Sequence, residues 1–206
     1  MKRTLVTITV VMIALGAWAA LRPLDPYTIA NPDPNHTHTD FAVWIDGKKL
    51  DFSDEEFMSE SESDQTGEDH DAHGHKHHPY LHLHDGNGYV IHRHKPGLTL
   101  GDFFASIQIG IDGACYTSFA PMADGEICGD HPFRMFLNGE EMPVTMEYVF
   151  EDLDQILFTN ADSNEEVRKE LQQMTDDACR YSQRCPWRGE AQAENCIADP
   201  AVPCVE

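Results

Sequence analysis

Apolar residues recur with a period of two in several short runs, and turn-forming residues separate those runs. Such alternation predicts strands with one face turned inward. The runs are 40–45 (DFAVWI), which turns at Asp46-Gly47 into 48–52, then 81–94 (LHLHDGNGYVIHRH) and 133–137 (FRMFL), which leads into the turn pair Asn138-Gly139. Residues 148–150 and 155–159 read as closing strands around an acidic turn at 151–154. Two segments change to a helical period. Thr99 with Asp102 at the third helical position makes a capping box before a stripe of Leu100, Phe103, Phe104 and Ile107. Ser163 with Glu166 opens a second helix carrying Val167, Leu171 and Met174 on one face and ending near Asp176 or Asp177. The pattern predicts an α+β fold.

The two ends depart from this pattern. Lys2 and Arg3 precede an apolar run at 4–21, about 27 Å long as a helix at roughly 1.5 Å per residue, enough to cross a bilayer core. Basic residues before it and an acidic chain after it place the body outside the cytoplasm as a single-pass cell-membrane protein. Ala17-Trp18-Ala19 has the small-x-small form of a signal-peptidase site, so a cleaved signal peptide, with secretion after Ala19, is the alternative. The expected organisation is a membrane anchor or signal peptide at 1–23, a spacer and first hairpin at 24–53, a disordered acidic and His-rich loop at 54–79, the main domain at 80–160, and a helix with a Cys-rich tail at 161–206. The loop has too little apolar content to bury a core. Its His70, His73, His75, His77 and His78 are expected to collect cations loosely.

Charge narrows the partners. A net charge of -22 repels nucleic acid and anionic membrane surfaces and favours cations. Six cysteines fit an exported, disulfide-permissive compartment, and none forms CxxC. The expected staples are Cys115 with Cys128, and Cys185 with Cys196 nested inside Cys179 with Cys204.

Chemistry concentrates in the run 81–94. On a strand, residues i and i+2 share a face, so His82 and His84 point together, as do His92 and His94. If Gly86 to Gly88 form a three-residue loop with Gly88 left-handed, Asp85 pairs with Tyr89, His82 stands opposite His92, and all four rings share a face. A two-residue loop sets His82 opposite Ile91 and divides them. His36 and His38 form a third HxH pair before the run 40–45. Imidazoles suit zinc and copper, so these six histidines are the candidate metal ligands, and the leading reading is a metal-binding protein. Met135, Met142 and Met146 could add thioether ligands for copper(I), but Met135 lies in a strand-like apolar run and is expected in the core, and none of the three is placed in the site; His131 is a possible extra ligand. Asp40 and Asp85 are the nearest carboxylates. The sequence holds no hydrolase nucleophile signature, phosphate loop, dinucleotide fingerprint or metalloprotease helix. A non-catalytic surface interaction module stapled by disulfides and a metal-dependent enzyme are the alternatives, the enzyme being the weaker of the two; no protein partner is indicated.

Three stretches carry a resemblance. Residues 99–104 (TLGDFF), 136–140 (FLNGE) and 152–157 (DLDQIL) make the region 80–160 similar to a β-grasp module, as in ubiquitin-like domains and the C-terminal domain of transcobalamin-type proteins. Leu153 stands where the acidic turn of such modules carries a glycine. The whole chain also resembles a group of membrane-anchored, exported bacterial proteins with an HLHDxxGxVIHxH hairpin and a CPxRG tail, here Cys185-Pro186-Trp187-Arg188-Gly189. That resemblance implies export and anchoring and no particular activity. The expected whole is a β-grasp-like small domain with an N-terminal transmembrane helix and a disulfide-stapled C-terminal tail.

Overall fold

Residues 29–59, 78–120 and 124–189 are described by a computed structural model. In chain order its strands are β1 (Thr37–Ile45), β2 (Lys48–Lys49), β3 (Leu81–His82), β4 (Val90–Arg93), β5 (Ile109–Asp112), β6 (Cys115–Ser118), β7 (Gly125–Cys128), β8 (Arg134–Leu137), β9 (Glu140–Met142) and β10 (Gln155–Thr159). The α-helices are α1 (Leu100–Ser106), α2 (Asn164–Leu171) and α3 (Ala178–Tyr181). The fold is mixed α+β and mostly sheet.

The main sheet has the order β3-β4-β1-β10-β8-β9, with β2 added to β1. Its centre is the parallel pair β1 and β10, in which Phe41 stands beside Ile156 and Val43 beside Phe158. β1 therefore belongs to the middle of the same sheet as the region 80–160, not to a separate N-terminal hairpin. Its position explains the unbroken apolar run, since a strand with both faces covered needs apolar residues on each. One face presents Phe41, Val43, Ile91, Met135, Ile156 and Phe158 to the α1 stripe of Leu100, Phe103, Phe104 and Ile107. Each such buried aliphatic or aromatic side chain contributes roughly 1.5–3 kcal/mol relative to exposure. The opposite face carries Ala42, Trp44, Phe136 and Leu157, which pack against Val167, Leu171 and Met174 from the α2 segment.

Local sequence accounts for much of this. Thr99 accepts from the Asp102 backbone N–H while Asp102 accepts from the Thr99 N–H, the reciprocal cap expected for α1. Ser163 and Glu166 do the same for α2. Asn138 and Gly139 both take positive φ, 52° and 82°, as the tight β8–β9 turn requires. Leu153 also has a positive φ, 70°, which is the backbone conformation that a glycine at this place relieves.

Several expectations are corrected. Residues 148–150 form no strand, because the chain is used to cap α1: Tyr148 and Met146 carbonyls accept from the Leu100 and Gly101 N–H groups. The strand expected at 48–52 stops at Lys49, and Phe52 turns into the core. α2 ends at Leu171, five residues early, although Leu171 and Met174 still face the sheet. The segment expected to be a mobile loop from residue 54 begins with a short 3-10 helix, Glu55–Phe57, and Phe57 is buried in the core. The remainder at 60–77, with His70, His73, His75 and His77, lies outside the described residues.

A second sheet, β5-β6-β7, was not foreseen. Its first hairpin turns at Gly113, which takes a positive φ of 56° directly after Asp112, a D-G turn signal in plain sight. Cys115 pairs across this sheet with Cys128, as expected. The C-terminal pairing differs: Cys179 bonds to Cys185. The expected Cys179–Cys204 bridge is therefore excluded, and so is Cys185–Cys196. Closeness in sequence decides this, because the single turn of α3 and the bend after it bring the two sulfurs together. Cys196 and Cys204 lie outside the described residues, as does the apolar run at 4–21. Among the described residues no helix is long and apolar enough to cross a membrane.

Candidate metal centre

Register assembles the centre. On β3 and β4 His82 stands opposite His92, and on β4 and β1 His92 stands opposite His38. Directly opposed residues in neighbouring strands share a face, so these three rings form one row across three strands. His84, His94 and His36, each two residues along, extend the same face. All six expected ligands are thus brought together, on the side of the sheet opposite α1. His38, His82, His92 and His94 are buried, each no more than 5% exposed.

The turn that sets this register is not the one expected. Asp85 and Gly86 carry the positive φ values, 58° and 67°, and the Asn87 N–H donates to the His84 carbonyl at 3.0 Å. Gly88 is not left-handed. It is needed for space, since a Cβ there would lie 2.3 Å from the Phe52 carbonyl carbon. The tight turn at 84–87 and the close passage at Gly88 leave residues 83–89 as a wider loop, without an Asp85–Tyr89 pair, while the His82–His92 register stands.

The rings form a continuous layer. Centroids of His36 and His94 are 3.9 Å apart, His36 and His38 4.4 Å, His38 and His92 4.8 Å, His84 and His92 3.8 Å, and His82 and His94 4.9 Å. The Nε2 atoms of His36 and His38 are 3.1 Å apart. One nitrogen from each of His36, His38 and His92 falls within a 4.8 Å set, a group able to hold a metal ion. At Zn–N distances of about 2.0–2.1 Å, tetrahedral ligand nitrogens lie about 3.3 Å apart, a spacing the His36–His38 pair already has and toward which His92 would draw in. A second group of potential ligand atoms, Cys115, Glu126 and Cys128, is a different matter, because its two sulfurs are bonded to each other.

Outer contacts orient the rings. His38 Nδ1 lies 2.7 Å from Ser182 Oγ, which lies 2.5 Å from Asp152 Oδ1. With Ser182 donating to the carboxylate, its oxygen accepts the Nδ1 proton of His38, and His38 Nε2 keeps its lone pair on the side of His36. Asp85 Oδ2 likewise takes the Nδ1 proton of His84 at 2.8 Å, which turns the His84 Nε2 lone pair toward His92 Nδ1, 2.9 Å away. Carboxylates behind histidines are the usual way to fix the tautomer of a metal-ligating ring.

The tail forms the roof. Tyr181 meets His92 edge-on at 4.7 Å between centroids and His38 at 5.6 Å, and its hydroxyl accepts from Asn87 Nδ2. α3 is held over the sheet by Asp40, whose carboxylate accepts from Thr175 Oγ1 at 2.6 Å and from the Asp177 and Ala178 N–H groups, while the Cys179–Cys185 bond closes the tail on itself. Burial pushes the Asp40 carboxyl up to about 6, and these three bonds act against that rise. Asp40 thus anchors the roof, and only Asp85 of the two expected carboxylates touches an imidazole. His78 sits beside β3, where its Nδ1 accepts from the Tyr80 N–H and burial lowers its pKa. His131 is exposed on the loop after β7. Met135 is buried in the core, and Met142 and Met146 pack against it, away from the histidines.

Sequence reasoning did not find Tyr181, Ser182 or Asp152. Asp152 was visible only as part of an acidic turn, and no local pattern marks the other two. No protein-family model, curated protein or solved structure matches the chain.

Proposed function

We propose that this is a metal-binding protein that holds zinc or copper on His36, His38 and His92, with His82, His84 and His94 in the same layer of rings. One observation carries the reading: three imidazole nitrogens, from β1, the bend just before it and β4, converge within 4.8 Å, with the outer nitrogen of His38 held by Ser182. Four of the six imidazoles are buried, and metal coordination is one way a buried imidazole nitrogen is satisfied. The ligand type suits both ions, and the affinity order favours copper where both are present. The strand order supports a β-grasp-like arrangement, with its first and last strands parallel at the centre and α1 across one face. The apolar run at 4–21 serves as the membrane anchor in this reading, and the His-rich segment before β3 gathers ions for the buried centre.

The test is metal analysis of the purified chain after equilibration with zinc or copper, beside His38→Ala with His92→Ala and beside a chain lacking residues 70–78. Retention without the loop and loss with the double variant is the expected result. Loss with the loop alone sinks the fixed site.

A further inference from the structure

A single ion on His36, His38 and His92 leaves half of the imidazole layer unexplained. Building on the metal-binding reading above, we propose that the centre is dinuclear, with a second ion between His84 and His92, His82 beside it, and His92 offering one ring nitrogen to each ion.

Three observations carry this. First, His92 stands between the two groups, its centroid 3.8 Å from His84 and 4.8 Å from His38. Second, His84 Nε2 and His92 Nδ1 already face each other at 2.9 Å, and Asp85 behind His84 leaves that Nε2 as a lone pair. Third, His84 is not among the nitrogens that fall together with His36 and His38, so one ion does not gather all four rings. The two nitrogens of an imidazole point away from each other, so one ring joins two ions but cannot chelate one. His82 is buried opposite His92 with its ring 5.7 Å from His84 and 6.3 Å from His92, beside the pair rather than converged on it.

The exchange balances simply. Without the second ion, His92 Nδ1 carries a proton and donates it to His84 Nε2. A divalent ion entering there takes both nitrogens, that proton leaves to solvent, and His92 becomes a bridging imidazolate. No electron moves. The carboxylates of Asp85 and Asp152, one behind each group, offset part of the added charge.

The test uses the full-length chain in mild detergent, with His70, His73, His75 and His77 changed to alanine in every arm so that loop chelation does not enter the count. After dialysis against zinc chloride, the expected content is two zinc ions per chain, falling to one in His84→Gln and to one in His36→Gln, with circular dichroism confirming that each variant is folded. Loaded with copper(II) sulfate, the parent is expected to show an electron paramagnetic resonance signal well under half of its copper content, because spins joined through an imidazolate couple; His84→Gln restores one spin per copper. One zinc in the parent, unchanged in His84→Gln, overturns the dinuclear centre and leaves the metal-binding reading standing. Two zinc ions unaffected by His84→Gln overturn the placement, a full signal from two coppers overturns the bridge, and no bound ion overturns both readings.

Discussion

His38 Nδ1 lies 2.7 Å from Ser182 Oγ, a contact that joins the central strand to the tail across 144 residues. Ser182→Ala removes the link from His38 to Asp152 and frees the ring to turn. Zinc affinity is expected to fall about 10–100-fold, the usual effect of losing a partner behind a ligating histidine, with the circular dichroism spectrum unchanged. Competition with a chromophoric chelator measures it, and an unchanged affinity removes Ser182 from the design.

The Cys179–Cys185 bond closes a six-residue separation under the roof residue Tyr181. Loop-closure entropy for so short a loop amounts to about 2 kcal/mol. Changing both cysteines to serine is therefore expected to lower stability by roughly that amount and to weaken metal binding, since the tail segment that carries Tyr181 and Ser182 loses its internal closure. Denaturant unfolding followed in the apo and zinc-loaded protein separates the two effects.

Asp40 ties α3 to the central strand, and its carboxylate accepts three donors from the segment 175–178. Asp40→Asn replaces one acceptor oxygen with a donor that meets another N–H group. A loss of about 1–3 kcal/mol is expected from the donors left without acceptors. Amide hydrogen exchange at Asp177 and Ala178 rises with it; protection equal to the parent contradicts the anchor role.

Gly88 lets the hairpin loop pass against the backbone of Phe52 and Ser53. An added methyl group meets main-chain atoms at 2.3 and 2.4 Å, which cannot swing aside as a side chain does. Gly88→Ala is expected to cost about 1–3 kcal/mol or more and to disturb the His82–His92 register, so thermal unfolding and zinc content both drop. Gly86→Ala tests a different cause: its added methyl meets nothing within 4 Å, and only its φ of 67° penalises it.

Metal binding at imidazoles competes with protons, whose ordinary imidazole pKa is about 6.5. The ligand must be deprotonated, so acid favours release and alkali favours uptake. Zinc occupancy is expected to be high above pH 7 and to fall steeply toward pH 5, more steeply than first order in proton because several rings protonate together. Equilibrium dialysis across that range tests it, and a flat profile argues against histidine ligation.

Much of the fold was legible because its signals are local. The capping boxes at Thr99 and Ser163, the Asn138-Gly139 turn and the α1 stripe depend on residues within one or two turns of each other, and each forms as its own chemistry dictates. Residues 148–150 misled for the opposite reason: their alternation is strand-like, but their carbonyls serve the start of α1. The β5–β6 hairpin carries its own local signal, the Asp112-Gly113 turn pair with Gly113 at a positive φ.

The six histidines show where local determination stops. Period-two spacing alone places His36 with His38, His82 with His84 and His92 with His94, because the pleat allows nothing else on a strand. Which pairs meet is a matter of register, and register across β3, β4 and β1 is set by the apolar residues between the histidines. Leu81, Leu83, Ile91, Phe41 and Val43 must all reach the α1 face, which sends the intervening histidines to the other. Alternation of this kind ordinarily leaves the second face in water. Here Tyr181 and Ser182, in a segment closed by the Cys179–Cys185 bond and held to the sheet by Asp40, cover it. That burial comes from contacts between about 90 and 144 residues apart in the chain, which no window of sequence contains, and it turns a row of solvated imidazoles into an enclosed set of nitrogens.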